Sequence, residues 1–187
     1  MQIIKNENDF YTSVERALEE IDPKWRDLPG VLVLGTHMPS DVESKIAAIK
    51  NAREKDIPFL GICFGMQLMA IEFARKTFID ATSEELGKGT HILTKLPRLH
   101  VGLDKVAGWW GTTDESHWHN YSLNLNYASI FSGEFDLSNS DGIIEIMRHK
   151  RNKFYVGIQF HAEYNSYKDK PHPVLLDFIN VCKTIAA

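Results

Sequence analysis

Ile57-Pro58-Phe59-Leu60-Gly61-Ile62-Cys63-Phe64-Gly65-Met66-Gln67 is the stretch whose reading decides the architecture. Ile57–Ile62 is a short apolar run with Pro58 near its start, where a missing N–H matters least, and it reads as a buried strand. A helical stretch, Phe64–Ile79, follows with no loop residues between, so Cys63 sits at a strand-to-helix junction. Working upstream, Val31–Leu34 is a second β-branched run, ending at Gly35. Ser40 followed by Glu43 has the form of a capping box, and it predicts a helix through Lys55 with Val42, Ile46 and Ile49 facing inward. Tyr11–Ile21 carries Val14, Leu18 and Ile21 at helical spacing. Strand, helix, strand and helix in this order predict a parallel α/β unit with right-handed crossovers.

Downstream, Thr82–Tyr127 is rich in Gly, Thr, His and Trp and reads as short strands and surface loops. Order returns in Gly142–Arg148 and Phe154–Phe160, two strands joined through the polar turn His149–Lys153, which adds a short antiparallel section. A last helix is expected from Pro173, a residue suited to the first helical position, through Val174, Leu175, Phe178, Ile179 and Cys182. Cys182 lies on that apolar stripe and reads as a small core residue.

The chain has 187 residues, and domains typically run to ~100–150, so a single domain over residues 1–187 is expected. Lys+Arg 21 against Asp+Glu 25 gives a net charge of −4, which argues against a nucleic-acid binder with a basic face. No apolar run approaches the ~20 residues of a membrane span, and Met1–Tyr11 is too polar for a signal peptide. Only two cysteines, Cys63 and Cys182, make a disulfide framework an unsuitable reading and a reducing cytoplasm the expected location.

Gly61-Ile62-Cys63-Phe64-Gly65 has the layout of a nucleophile elbow, in which a sharp strand-to-helix turn lifts a side chain above the sheet and small neighbours let the backbone fold that tightly. A thiolate at that helix N-terminus would face unpaired N–H groups and the positive dipole end. The competing reading is a buried Cys between two helix-packing glycines. A nucleophilic Cys needs a base, and the base needs a third group to hold its tautomer. His161-Ala162-Glu163, just after the strand Phe154–Phe160, supplies both, and two residues apart in extended chain they would point the same way. His161-x-Glu163 also fits a metal pair, as does His117-x-His119. Neither has the H-E-x-x-H or C-x-x-C spacing of a strong metal signal, so no metal and no other cofactor is expected. Both the Cys and the His motif fall at the carboxyl ends of predicted strands, the edge along which open α/β sheets place their sites. The adjacent Trp109 and Trp110 fit a partner surface or an edge of the core equally well.

Pro58-Phe59-Leu60-Gly61-Ile62-Cys63-Phe64-Gly65-Met66-Gln67 and Gly157-Ile158-Gln159-Phe160-His161-Ala162-Glu163 resemble the two signature blocks of the class I (triad) glutamine amidotransferases, most of all the glutaminase domain of the CTP synthases. Tyr164, Asn165, Ser166, His172 and Pro173 continue the second block, and weaker echoes run through Thr12–Ile21, Gly89-Thr90, His119-Asn120-Tyr121 and Asp141–Ile146. The resemblance implies a flavodoxin-like α/β fold, a mostly parallel central sheet with helices on both faces. It implies that Cys63 attacks the side-chain amide of glutamine to form a γ-glutamyl thioester, that His161 moves the proton and that Glu163 orients His161. Backbone N–H groups of Gly35, Thr36 and Phe64 would hold the oxyanion. Gln67 would help hold the substrate, backbone near His119, Asn120 and Tyr121 would meet its α-carboxylate, and Glu84 or Glu85, with Glu85 preferred, its α-amino group. The ammonia released would pass to a separate synthetase.

Four features depart from the family pattern. A glycine-rich P-G-G-F-G loop is here Leu34-Gly35-Thr36-His37-Met38, an Arg-rich R-H-R-H-R-Y stretch is Ser116-His117-Trp118-His119-Asn120-Tyr121, a proline is Ala162, and the segment between Ile21 and Val31 is short for the extra strand the family carries there. No G-x-x-x-x-G-K-[ST] phosphate loop is present, so nothing in these residues matches an amination domain. Because the departures cluster around the expected pocket, turnover of another γ-glutamyl amide is a second reading. A non-catalytic regulatory module that keeps the fold is a third.

Overall fold

The computed structural model describes residues 1–4 and 11–187. Part of the polar Met1–Tyr11 stretch therefore lies outside the described residues. The order of elements is β1 (Gln2–Ile4), α1 (Tyr11–Ile21), β2 (Val31–Val33), α2 (Val42–Glu54), β3 (Phe59–Ile62), α3 (Phe64–Ala74), β4 (Ala81–Ser83), β5 (Thr90–Gly108), β6 (Gly111–Leu123), β7 (Phe135–Ser140), β8 (Ile143–His149), β9 (Tyr155–Ile158) and α4 (Pro173–Ala186). A six-stranded sheet has the order β1-β2-β3-β9-β8-β7, parallel from β1 to β9 and antiparallel at β8 and β7. A second sheet, β4-β5-β6, is dominated by the β5–β6 hairpin.

The period-2 alternation of the short central strands explains why helices cover both faces. Val31, Val33 and Phe59 face Ile46 and Ile49 of α2 and Met66 and Met69 of α3. Leu32, Leu60, Ile62, Val156 and Ile158 face Val14 and Leu18 of α1 and Val174 and Phe178 of α4. The expected fold class is thereby met. Cys182 is fully buried in this second cluster, as expected, and burial pushes its thiol up to about 12.

Several boundaries differ from the sequence reading, each for a physical reason. The capping box does not form: Asp41 precedes α2 in a left-handed conformation (φ 50°) with no side-chain cap, while Glu43 is engaged by Arg75 at 2.6 and 2.9 Å. α2 ends at Glu54, one residue short of the expected Lys55. α3 stops at Ala74, short of the expected Ile79, which is 90% exposed. α3 is buried on every side, so no polar face marks its end. The segment between Ile21 and Val31 holds a 3-10 turn, Trp25–Asp27, around the fully buried Trp25.

The largest correction is Thr82–Tyr127, expected as short strands and loops. It contains β5 of 19 residues and β6 of 13, paired from Gly108↔Gly111 back to Leu93↔Leu123, with the register slipping between Lys95 and His100. Polar, half-exposed strands of a long hairpin carry little hydrophobic alternation, so the period-2 signal is weak there. The hairpin tip is fastened to α4: Trp109 Nε1 donates to Asp177 Oδ2 at 2.8 Å, and the Trp110 ring lies 5.1 Å from the His172 ring. β1 and β7 escaped the sequence reading as well; β1 has three residues and β7 alternates only partly.

Candidate active site

The parallel register Gly61↔Gly157 and Ile62↔Ile158 brings the carboxyl ends of β3 and β9 side by side. Cys63 follows immediately, its N–H donating to Ile158 O at 2.7 Å, with φ 53° and ψ −107°. That is a region L-residues occupy at a cost of about 1–3 kcal/mol and usually only where packing enforces it. Here the enforcing contacts are visible. A Cβ on Gly61 would lie 2.6 Å from Gly65 C, and one on Gly65 would lie 2.1 Å from Val33 O, so two flanking glycines are what let strand, elbow and helix close on each other.

At the end of β9 the chain does not stay extended, as the sequence reading had it. His161 leads into a 3-10 turn, Ala162–Asn165, and it is this turn that places Glu163 Oε1 2.7 Å from His161 Nδ1. Both side chains are wholly buried. Burial disfavours the imidazolium, but the Glu163 charge, then the hydrogen bond and charge of Cys63 and the hydrogen bond with Glu163, outweigh it and push His161 up to about 10. The turn is anchored by α1: Arg16 donates to Glu163 O at 2.9 Å and to Ser166 O at 3.0 Å. Sequence reasoning missed Arg16, which carries no motif.

Cys63 opens into a narrow cavity of about 70 Å³ lined by Thr36, His37, Phe64, Gln67, Glu85, Trp118, His119, Asn120 and Tyr121. The cavity therefore gathers most of the residues picked out in sequence, from four separate parts of the chain. Gly35 is buried and does not line it. Glu84 is engaged elsewhere, its carboxylate accepting from Lys95 N at 2.6 Å, which leaves Glu85 as the acid at the cavity. Glu85 is open to solvent on one side, yet partial desolvation pushes its carboxyl up.

Gln67 is buried with Nε2 donating to Tyr121 O at 3.0 Å and to Gln159 Oε1 at 3.2 Å. Its amide hydrogens are thus used in tying α3 to β6 and to the residue that follows β9. Gln159, quoted in sequence but given no role there, donates from Nε2 toward Cys63 Sγ at 3.7 Å. His119 is buried, its Nδ1 at 2.9 Å from Tyr121 O and its Nε2 without a partner; desolvation holds it down to about 3. His37 stands edge-on to the exposed Trp118, ring centroids 5.7 Å apart, on the cavity wall. His172 and Pro173 prove structural: His172 Nδ1 accepts from Val174 N at 3.2 Å, capping α4, while its Nε2 lies 2.9 Å from Glu115 Oε1.

The family model described as "Glutamine amidotransferase class-I" matches residues 6–181. CTP synthases are among the curated relatives: that of Sulfolobus acidocaldarius is 35% identical over 91% of this chain and 37% of its own length. That of Methanothrix thermoacetophila is 36% identical over 89% of this chain and 35% of its own. The chain thus spans little more than a third of these two relatives. Among solved structures, the glutaminase domain of Trypanosoma brucei CTPS with bound acivicin superposes with a TM-score of 0.85 at 23% identity, covering 97% of this chain and 92% of that one. With the fold shared to that extent and the family match running across nearly the whole chain, the protein belongs to the class-I glutamine amidotransferases.

Proposed function

We propose that residues 1–187 form a single glutaminase domain in which Cys63 hydrolyses the side-chain amide of glutamine. The observation that carries this reading is the meeting, at adjacent strand ends, of Cys63 on its strained elbow with the buried His161–Glu163 pair. Cys63 Sγ attacks the amide carbon while its proton is held on the imidazole of His161, which is pushed up to about 10. The oxyanion is held by the Phe64 N–H and by the Thr36 N–H, both at the cavity, donors worth about 3 kcal/mol each in such sites. His161 then protonates the leaving nitrogen, ammonia departs, and the γ-glutamyl thioester remains on Cys63. Water deprotonated by His161 opens the thioester, giving glutamate and free thiol. Glu163 fixes the imidazole's tautomer throughout.

Glu85 meets the substrate's α-amino group, and backbone of His119, Asn120 and Tyr121 its α-carboxylate. Gln67 and Gln159 act as positioning residues behind the nucleophile. The ammonia passes to a separate synthetase, and free thiols at Cys63 and Cys182 suit a reducing cytoplasm. Among the described residues no helix is long and apolar enough to cross a membrane.

A second reading, turnover of a γ-glutamyl amide other than glutamine, is favoured by the His37–Trp118 pair, which reshapes the cavity wall. Glutamate release assayed on purified chain, together with mass spectrometry after exposure to acivicin, separates the readings. Release lost in Cys63→Ala, with one adduct on Cys63, supports the first. Cys63-dependent turnover of another γ-glutamyl amide but not of glutamine supports the second. Absence of both adduct and turnover leaves a non-catalytic module.

A further inference from the structure

A larger cavity, about 710 Å³, opens along the β5–β6 hairpin, and His100, Asp104 and Glu145 line it. Strand alternation places positions 100, 102 and 104 of β5 on one face. Gly102 is the register partner of His117 on β6, and its missing side chain leaves open space between His100 and Asp104. The His117 ring stacks on that of His100, centroids 4.5 Å apart and planes 8° from parallel. His100 Nε2 lies 2.5 Å from Asp104 Oδ2, and one donor atom from each of His100, Asp104 and His117 falls within 4.8 Å of the others.

The tautomers point the same way. His117 Nδ1 is 3.0 Å from the carbonyl of Glu115, so this nitrogen carries the hydrogen and Nε2 faces inward, 3.0 Å from Glu145 Oε2. An imidazole whose outer N–H is held by a backbone carbonyl while the other nitrogen offers its lone pair is the arrangement found around metal-ligating histidines. His119 repeats it next door, with Nδ1 on Tyr121 O and a buried, unpartnered Nε2, its ring 4.9 Å from that of His100.

We propose that His100, Asp104 and His117 bind a divalent transition-metal ion of the zinc class, with Glu145 as the fourth donor. Two imidazole nitrogens and two carboxylate oxygens are a donor set that suits zinc. Ligand atoms around a tetrahedral ion with bonds of ~2.0–2.1 Å sit roughly 3.3 Å apart, so His100, Asp104 and His117 need shift only by about an ångström, and Glu145, already 3.0 Å from His117 Nε2, closes in from that side. His100 and Asp104 are part-exposed and give the ion a route from solvent, whereas His117 and Glu145 are buried and form the floor. Sequence spacing gave no metal signal because the ligands are brought together across the hairpin register, not along the chain. Since His119 also lines the Cys63 cavity, a loaded site braces the wall of that cavity.

The test uses the full chain carrying Cys63→Ala, so that the reactive thiol supplies no ligand. After chelator treatment it is loaded with Zn2+ and desalted, and bound metal is measured by elemental analysis; Co2+ serves as the spectroscopic probe. The expected result is one ion per chain, a Co2+ visible spectrum of tetrahedral nitrogen–oxygen ligation and a rise in Tm with Zn2+. His100→Ala and Asp104→Asn, both part-exposed and compatible with folding by circular dichroism, should each weaken binding at least about tenfold. His91→Ala should leave it unchanged. Failure to retain metal, or equal retention in His100→Ala and Asp104→Asn, overturns the proposal and leaves a structural hydrogen-bond network. Because no step reads amide hydrolysis, the outcome stands apart from whether Cys63 is catalytic.

Discussion

His161 Nδ1 and Glu163 Oε1 stand 2.7 Å apart with both side chains wholly out of solvent, held in that relation by a 3-10 turn that Arg16 ties to α1. Removing the charge while keeping the shape isolates what this pair does. Glu163→Gln should lower kcat for glutamine hydrolysis by about 10³–10⁴ with a much smaller change in KM, because the amide stabilises the wrong tautomer and no longer supports the imidazolium. Steady-state glutamate release checks it.

The same pair sets the alkaline limit of the fold. His161 is pushed up to about 10 from an ordinary 6.5, so its protonated form contributes stability that is complete below pH 6.5 and drains away as the pH rises toward 10. His119 runs the other way. Held down to about 3 by desolvation, it contributes stability that is present above pH 6.5 and lost as the pH falls toward 3, since the unfolded chain takes up a proton the folded one refuses. Urea midpoints across this range should decline on both flanks. His161→Gln should flatten the alkaline flank and His119→Asn the acid one.

Gly65→Ala should destabilise by roughly 3 kcal/mol or more, because the new methyl meets Val33 O at 2.1 Å and neither backbone can yield without opening the elbow. For a chain of this size that is a fall in Tm of roughly 6–12 °C. Gly133→Ala, which meets nothing within 4 Å, is the control and should be close to neutral. Thermal denaturation of the two variants decides it.

Far from the cavity, Arg53 grips Glu72 through two hydrogen bonds of 2.7 and 2.9 Å, joining α2 to α3. Glu72 is nearly fully buried and Arg53 only slightly exposed. Glu72→Leu should cost up to roughly 3 kcal/mol by leaving a guanidinium with little access to water. Denaturation should report the loss, and the kcat of the folded fraction should be unchanged.

What could be read from the residues alone followed the strength of each local signal. β2 and β3 are dense apolar runs and were found to within a residue or two, and the elbow was legible because Gly61, Cys63 and Gly65 state their spacing in five residues. The His161–Glu163 contact was anticipated for a wrong reason: the pair meets through a 3-10 turn, whose backbone no residue pattern announced. The hairpin was opaque because its register, not its composition, makes it a strand pair. Gly102 opposite His117 has meaning only once Leu103 is known to face Ser116. Arg16 and Gln159 were invisible as site residues for the same reason, since each matters through a partner more than ninety positions away.

The collision that forbids a methyl at Gly65 has a consequence for how variants should be judged. The sulfur's perch is inherited from the assembly of β2, β3 and α3, and arrives with folding before any amide is met. A variant that reaches the native state therefore has its Cys63 sulfur already aimed. Loss of turnover in such a variant points away from the elbow, to the His161–Glu163 pair or to the opposite bank of the cleft, where His37, Trp118 and Asn120 line the cavity.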